Sequence, residues 1–144
     1  MTCSSQWQKA IFDQLWGAAI EQLPMSYAPY SHFPVTAALR MDDGSFFTGI
    51  NIENASYSMT LCAEATAIAK AISTKYQKIS HVLVHAPNLA YCPPCGACRQ
   101  KINEFSTPDT TIFLTDSQGN HKTLSMAQLL PCSFNLEDHQ STAQ

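Results

Sequence analysis

The spacing of apolar residues divides the chain into segments of helical and strand-like character. Residues 6–23 have apolar side chains at helical intervals, which predicts an amphipathic helix. Two further apolar runs, residues 35–41 and 46–52, flank a polar turn sequence at residues 42–45 that contains Asp42, Asp43 and Gly44. Strand-like runs on either side of such a turn predict a β-hairpin.

The second half of the chain continues with alternating helices and strands. Residues 60–72 are rich in alanine and contain only Glu64 and Lys70 as charged side chains, which is typical of a helix buried on most sides. The pattern then predicts a strand at 79–86, a helix at 95–105, strands at 110–115 and 121–124, and a short helix after residue 125. This order indicates an α/β fold with helices packed on a mixed sheet of about five strands.

Length and composition restrict the classes of protein to which the chain can belong. Its 144 residues, 45% of them hydrophobic, suffice for one compact core. We therefore expect a single domain over residues 1–144, with a polar tail after about residue 136. The formal net charge of -3 offers no basic surface for nucleic acid. The sequence shows neither the roughly 20-residue apolar run of a membrane span nor a signal-peptide pattern, so we expect a cytoplasmic protein without membrane contact.

Two cysteines three positions apart, Cys95 and Cys98, stand where a proline-rich loop is predicted to enter a helix. Both side chains then lie on one side of the first turn, where unpaired N–H groups stabilise the thiolate form that binds metal. Alone, the pair is compatible with zinc, redox chemistry or chance. Cys62, at the start of the Ala-rich helix, would complete a three-thiolate site with a fourth position open, as catalytic zinc requires. The alternative for Cys62 is a buried structural cysteine.

Glu64 lies two residues after Cys62, in the first turn of a helix with almost no other charge. A carboxylate here is placed to shuttle protons for water at a metal, although the helix dipole alone also favours an acid in a first turn. Together with the Pro94-Cys95-x-x-Cys98 run, Cys-Ala-Glu matches the cysteine-ligand form of the zinc deaminase signature. Cys92 extends the cysteine run towards an iron–sulfur motif, but Ile102 stands where that motif has another cysteine. We interpret Cys92 as a loop thiol.

The sequence resembles the small homotetrameric cytidine deaminases over nearly the whole chain. The family's motifs occur in the family's order: Tyr30-Ser31-His32-Phe33-Pro34-Val35, Asn51-Ile52-Glu53-Asn54-Ala55-Ser56-Tyr57, Cys62-Ala63-Glu64, Pro94-Cys95-Gly96-Ala97-Cys98-Arg99-Gln100, and Leu129-Leu130-Pro131 with Phe134. The resemblance implies the three-layer α-β-α cytidine deaminase-like fold and a homotetramer with shared active sites.

The resemblance also implies roles for individual residues. It implies Zn²⁺ on Cys62, Cys95 and Cys98, with Glu64 as the proton shuttle. Asn51 and Glu53 are implied to hold the ribose hydroxyls, for which an acceptor carboxylate is suited. The remaining implied nucleoside contacts are Phe33, Ala55, Tyr57 and, from a neighbouring subunit, Phe134.

Two residues depart from the family pattern. Ala65 stands where most relatives with three cysteine ligands have an Arg that hydrogen-bonds the thiolates, so the site lacks that compensating charge. Thr36 replaces the family's small Gly after Pro-Val and puts a β-branched side chain near the pocket wall.

We predict that the protein is a zinc-dependent enzyme that hydrolyses cytidine, and also deoxycytidine, to the uracil nucleoside and ammonia in pyrimidine salvage. One alternative is a deaminase of another aminopyrimidine nucleoside, such as a nucleoside antibiotic. A second is a zinc-stabilised homologue with weak or no activity, because Ala65 replaces the usual Arg. A nonenzymatic module would need its open metal position filled, and Cys92 is the nearby residue able to fill it.

Overall fold

The computed structural model describes residues 3–75 and 77–136 of the chain. Its elements are α1 (Cys3–Gln22), β1 (Thr36–Met41), β2 (Phe46–Ile50), α2 (Ala63–Thr74), β3 (Ile79–His85), α3 (Gly96–Glu104), β4 (Ser106–Thr115), β5 (His121–Ser125) and α4 (Met126–Leu129). Single turns of 3-10 helix at Leu23–Met25 and Tyr57–Met59 complete the list. Every helix and strand predicted from the sequence is therefore confirmed, and the predicted polar tail lies outside the described residues.

Two element boundaries differ from the prediction. The Ala-rich helix α2 begins at Ala63 rather than at residue 60, because Cys62 is its N-cap with extended backbone angles and a separate turn precedes it. Strand β4 begins at Ser106 instead of residue 110, where Ser106 pairs with Ile79 of β3. Its first four residues are largely exposed, so they show no hydrophobic alternation that would reveal a strand.

The five strands form one mixed sheet in the order β2-β1-β3-β4-β5. Only β3 and β4 run parallel, while the other three neighbouring pairs are antiparallel. The central strand β3 is buried at six of its seven positions, as expected for a strand covered on both faces. The predicted mixed sheet of about five strands is confirmed.

Helices cover both faces of this sheet and produce three layers. The helix α1 covers one face with Ile11, Phe12, Leu15 and Ala19, which pack against Ala38, Leu83 and Phe113. On the other face, α2, α3 and α4 share a larger core with the opposite sides of the same strands. The α-β-α architecture is confirmed.

The α1 face contains three of the histidines. The His85 ring lies edge-on to Trp16, with ring centroids 4.9 Å apart, and the His121 ring stacks on Phe12 at 3.9 Å. His81 is buried beside Phe113, and burial, reinforced by the charge of Arg40, lowers its pKa to about 4. These imidazoles are packing groups on the face opposite the helices that supply the cysteines. Among the described residues no helix combines the length and hydrophobicity needed to cross a membrane.

Candidate metal centre and active site

Three thiols meet where the N-termini of α2 and α3 approach each other. Cys62 is the N-cap of α2, Cys95 is the N-cap of α3, and Cys98 lies in the first turn of α3. Their sulfur atoms all lie within 4.8 Å of one another. Sulfur ligands about 2.3 Å from a tetrahedral zinc ion are separated by about 3.8 Å, so this spacing and this donor set fit zinc. Within residues 3–75 and 77–136 it is the one group of this kind.

The environment of the thiols differs between the exposed and buried positions. Burial raises the pKa values of Cys62 and Cys98. Burial also acts to raise the pKa of Cys95, but the backbone N–H groups of Cys98 and Ala97 outweigh it, and the net pKa is lowered. The α3 N-terminus thus stabilises a thiolate at Cys95, as the sequence suggested. At the half-buried Cys62 and the buried Cys98, a bound cation is needed to favour the thiolate form.

Glu64 lies beside these thiols and is almost completely buried, with 4% of its surface exposed. Burial raises the pKa of its carboxyl group, against the opposing effects of its own backbone N–H, the Cys98 thiol and the charge of Lys101. A buried carboxylate is costly unless something in the site compensates it. A raised pKa brings a carboxyl group closer to the range in which it can both accept and return a proton near neutral pH.

The thiols, Glu64 and Asn51 line one cavity of about 220 Å³. The rest of its wall comes from Val35, Thr60, Ala63, Cys92 and Pro93. The structure therefore brings the predicted metal ligands, the predicted proton shuttle and one predicted ribose contact into a single site.

The amide of Asn51 is engaged with the protein as well as facing this cavity. Its Oδ1 accepts hydrogen bonds from the backbone N–H of Val35 at 2.9 Å and from the hydroxyl of Ser26, and its Nδ2 donates to the carbonyl of Phe33 at 2.9 Å. These bonds fix the segment that contains Phe33 and Val35. Asn51 thus shapes the cavity wall in addition to any contact it makes with a ligand.

Glu53 and Tyr57 line a second cavity, of about 390 Å³, with Tyr30, Ser31 and Thr60. Thr60 lines both cavities, so the second lies next to the first. Glu53 Oε1 accepts the backbone N–H groups of Tyr30 and Ser31, both at 3.1 Å. Hydrogen bonds from Ser31, and then from the Tyr30 backbone, lower the pKa of Glu53 and keep its carboxylate charged.

The other three predicted contacts lie elsewhere. Phe33 and Ala55 belong to the wall of neither cavity among the described lining residues. Phe134 is 61% exposed and lines a third cavity of about 420 Å³ with Lys78 and Asn103. Its carbonyl accepts a hydrogen bond from Gln100 Nε2 at 3.2 Å. Phe134 therefore lines neither the cavity of the three thiols nor that of Glu53.

Sequence reasoning underestimated two cavity residues. Cys92, interpreted as a loop thiol, lines the cavity of the three thiols but lies outside their close cluster. Burial and the Glu64 carboxylate raise its pKa, which disfavours its thiolate. Thr60 lines both cavities, and its position two residues before Cys62 is the sequence signal that indicates its place in the site.

An open centre of three cysteines beside a buried glutamate is the arrangement of the zinc deaminases, in which the glutamate is the general acid and base. A family model of the cytidine and deoxycytidylate deaminase zinc-binding region matches residues 12–115. The chain belongs to this family.

Individual relatives agree with this assignment. The chain is 45% identical over 120 residues to a cytidine deaminase of Halalkalibacterium halodurans, covering 83% of this chain and 91% of that protein. It is 35% identical over 127 residues to a cytidine deaminase of Mycobacterium tuberculosis, covering 88% and 92%. The crystal structure of a cytidine deaminase from Burkholderia pseudomallei matches with a TM-score of 0.79 and 38% identity, over 93% of this chain and 100% of that one.

Proposed function

We propose that this chain catalyses the hydrolysis of cytidine and deoxycytidine to uridine and deoxyuridine, with release of ammonia. The observation that supports this most directly is the buried carboxyl group of Glu64 in the same cavity as the three clustered thiols. A buried carboxylate next to a metal site has a chemical role that a purely structural zinc site does not need.

The reaction requires proton transfers that one carboxylate can perform in sequence. Water adds to C4 of the cytosine ring, and a Glu64 oxygen accepts a proton from that water. Glu64 delivers this proton to N3 of the ring, then accepts the remaining proton from the hydroxyl group now bonded to C4 and passes it to the 4-amino nitrogen. The bond between C4 and that nitrogen breaks, ammonia leaves, and the C4 carbonyl of the uracil ring forms. Glu64 ends in its starting state, because each proton it accepts is passed on.

Cys62, Cys95 and Cys98 would hold the zinc ion, which when bound supplies a Lewis acid that makes water a nucleophile near neutral pH. The chain's own contribution is the placement of Glu64 and of the nucleoside. Asn51 and Glu53 are proposed to bind the ribose hydroxyls. The backbone N–H groups of Tyr30 and Ser31 both donate to the same Glu53 oxygen, Oε1. A charged carboxylate at the sugar also repels a 5′-phosphate, which favours nucleosides over nucleotides.

The remaining nucleoside contacts are proposed for a homotetramer. Tyr57 lines the second cavity and is 76% exposed. The other large exposed apolar side chains nearby are Met59, in the same turn as Tyr57, and Tyr27, Ile52 and Leu61, which are joined by β-bridges. Apolar surface of this kind is typical of a protein interface. In such an assembly Phe134 of a neighbouring subunit would pack on the base, and Phe33, Ala55 and Tyr57 would line the completed pocket. We further propose a role in cytoplasmic pyrimidine salvage for a single domain over residues 1–144.

The alternative functions are not favoured. The relatives reported above are named cytidine deaminases, which does not favour a nucleoside antibiotic as the substrate. Cys92 lies outside the thiol cluster, which does not favour a nonenzymatic site with four cysteine ligands.

Ultraviolet absorbance assays on a panel of cytosine nucleosides and nucleotides test the proposal. We expect loss of cytosine absorbance with cytidine and deoxycytidine and little with the 5′-monophosphates. Zinc-loaded protein that leaves both nucleosides unchanged would contradict it. Light scattering tests the assembly, for which we expect four times the 15.8 kDa chain mass.

A further inference from the structure

The backbone of α2 lies unusually close to β2 at a single residue, Gly49. A Cβ atom on Gly49 would lie 2.3 Å from the carbonyl oxygen of Ala63 and 2.3 Å from the backbone nitrogen of Ala67. Real Cβ atoms do not approach other heavy atoms so closely, so only glycine fits here. The small side chains of Ala63, Ala67 and Ala71, buried between the helix and the sheet, allow the two backbones to come this close. The first turn of α2 is therefore seated directly on β2.

One hydroxyl group joins the two elements at this contact. Thr66 Oγ1 lies 2.8 Å from the carbonyl oxygen of Ile50, at the end of β2, and 2.9 Å from the carbonyl oxygen of Ala63. Its single proton can be donated to either oxygen. The same Oγ1 would lie 2.5 Å from a Cβ at Gly49, so the hydroxyl occupies the space that the glycine leaves.

Thr66 is connected to both halves of the candidate active site. Its backbone N–H donates to the carbonyl of Cys62 at 3.1 Å and closes the turn that contains Glu64. Its side chain contacts Ile50, and the next residue is Asn51, which lines the cavity and fixes the segment of Phe33 and Val35. Thr66 thus bonds both to the turn that contains Cys62 and Glu64 and to the residue that precedes Asn51.

We propose that Thr66, seated against Gly49, is a positioning residue: it holds Cys62 and Glu64 in register with the nucleoside that Asn51 contacts. The inference concerns the site of the proposed function and rests on it for the activity readout. Thr66 itself does not line the cavity among the described residues. It therefore acts through the first turn of α2 and through the end of β2.

Thr66→Val is the informative variant, because it keeps the β-branched shape and removes only the hydroxyl. Thr66→Ser keeps the hydroxyl and tests rescue. Thr48→Val is a matched control on the adjacent residue of β2, where Thr48 Oγ1 hydrogen-bonds Gln22 Oε1 at 3.1 Å near α1. It removes a threonine hydroxyl from the strand that Thr66 contacts, but one that bonds α1 and not α2. If the valine variant does not fold because its methyl group does not fit in place of the hydroxyl, Thr66→Ala removes the hydroxyl without adding that methyl group.

We expect Thr66→Val to lower kcat for cytidine by about tenfold to a hundredfold, as a small displacement of catalytic groups does. KM should change little, because Asn51 and Glu53 keep their own contacts. The metal centre gives a readout that needs no substrate: zinc release to a chromophoric chelator should be faster than in the wild type, since Cys62 is less firmly held. Thr66→Ser should restore both quantities, and Thr48→Val should change neither.

A purely structural role makes a different prediction. Thr66→Val would then lower Tm as Thr48→Val does, while the kcat of zinc-loaded protein and its zinc release rate stayed at wild-type values, and that result overturns the proposal. Failure of Thr66→Ser to restore kcat and the zinc release rate would also overturn it. If the wild type deaminates none of the nucleosides, the proposed function fails, and the zinc release comparison still tests the positioning role.

Discussion

The two helix N-termini that supply the thiols are built on the same plan but held in different ways. In each, a cysteine is the N-cap, and the residue four positions later closes the first turn. Thr66 N–H donates to the Cys62 carbonyl at 3.1 Å, and Arg99 N–H donates to the Cys95 carbonyl at 3.0 Å. The side chains of Thr66 and Arg99 differ in length and in the element that they contact. Thr66 extends one hydroxyl to the adjacent strand, whereas Arg99 extends a guanidinium group across to another helix.

Burial explains why the two side chains differ. The helix α2 is seated on β2 and buries five residues, Ala63, Glu64, Ala67, Ile68 and Ala71. A short group is sufficient there, because the sheet lies in contact. The helix α3 buries only Cys98 and Ile102. Arg99 compensates for this sparse packing: its Nε donates to the Pro94 carbonyl at 2.9 Å and its Nη1 to the Leu129 carbonyl at 3.0 Å.

The difference separates two tasks of the site. The firmly packed start of α2 holds Glu64, the proposed proton shuttle, which proton transfer requires to be placed accurately. The more exposed start of α3 supplies two of the three thiols, Cys95 and Cys98, and a metal ion would tie this end to α2. Apart from the proposed ligand Cys62, we therefore expect substitutions at the start of α2 to act mainly on the chemistry, and substitutions at the start of α3 to act mainly on metal content.

Removal of a thiol should have the largest effect. Cys98→Ala takes away the buried ligand of α3, so we expect zinc content measured by atomic emission to fall from one ion per chain to nearly none, with loss of activity. Cys62→Ala and Cys95→Ala should behave in the same way. Cys92→Ala is the control: it lines the same cavity but lies outside the thiol cluster, and its zinc should be retained. Full zinc content in any of the first three variants would contradict the ligand assignment.

Glu64→Gln should separate chemistry from metal binding. The amide keeps the size of the side chain but cannot transfer protons, so we expect kcat to fall by at least about 10²–10⁴-fold, the usual contribution of general acid–base catalysis. Zinc content and Tm should remain near those of the wild type, because Glu64 is not one of the clustered thiols. Activity within about tenfold of wild type would remove Glu64 from the mechanism.

Arg99→Ala tests the two side-chain hydrogen bonds that hold the start of α3, to the carbonyls of Pro94 and Leu129. Hydrogen bonds from a charged group are worth about 1.5–3 kcal/mol each, so we expect a clear decrease in Tm and faster zinc release to a chelator. Arg40→Ala is a matched control: Arg40 is also half-buried and hydrogen-bonds Ser80 at 3.2 Å, but on the α1 face. It should lower Tm without accelerating zinc release. Equal zinc release rates in both variants would mean that Arg99 stabilises the fold in general and not the α3 end of the site.

The sequence predicts those parts of this arrangement that depend on local spacing. The apolar periodicity identified every helix and strand, and the Cys95-x-x-Cys98 pair with Cys-Ala-Glu identified the thiols and Glu64. Residues 106–109 were missed as strand because they are exposed and show no alternation. Local spacing therefore predicts which elements form, but it does not reveal strand residues that are exposed and lack hydrophobic alternation.

Contacts between distant segments could not be predicted in the same way. The bond from Arg99 to Leu129 joins residues 30 positions apart, and the bond from Thr66 to Ile50 joins residues 16 positions apart. Neither residue type alone indicates its partner. The hydrogen bonds of Asn51 to Phe33 and Val35 also join residues that are distant in the sequence. They show that a residue proposed to bind the nucleoside also holds part of the fold in place.

The smallest expected effect concerns Ala65, where the two helix starts differ in charge. A divalent ion and three thiolates leave one net negative charge, and Glu64 adds another close by. In the described part of the chain, the cation whose charge acts on Glu64 is Lys101 of α3. The start of α2 supplies none, because residue 65 is Ala, where the family resemblance implies an Arg. Negative charge opposes the loss of a proton from the attacking water, so the rising limb of the pH–rate profile should lie at higher pH than with a cation at this position.

Ala65→Arg should move that limb to lower pH, since a guanidinium group beside the thiolates withdraws negative charge and makes the deprotonation easier. The measurement is kcat/KM for cytidine across a pH series, with zinc content and Tm checked for each protein. Ala65→Gln is the control, because it adds length and hydrogen-bond donors without charge, and it should shift the limb less. A folded, zinc-loaded Ala65→Arg protein with an unmoved profile would show that Lys101 and the backbone N–H groups of the two helix starts already supply the compensation. The charge difference between α2 and α3 would then have no consequence for catalysis.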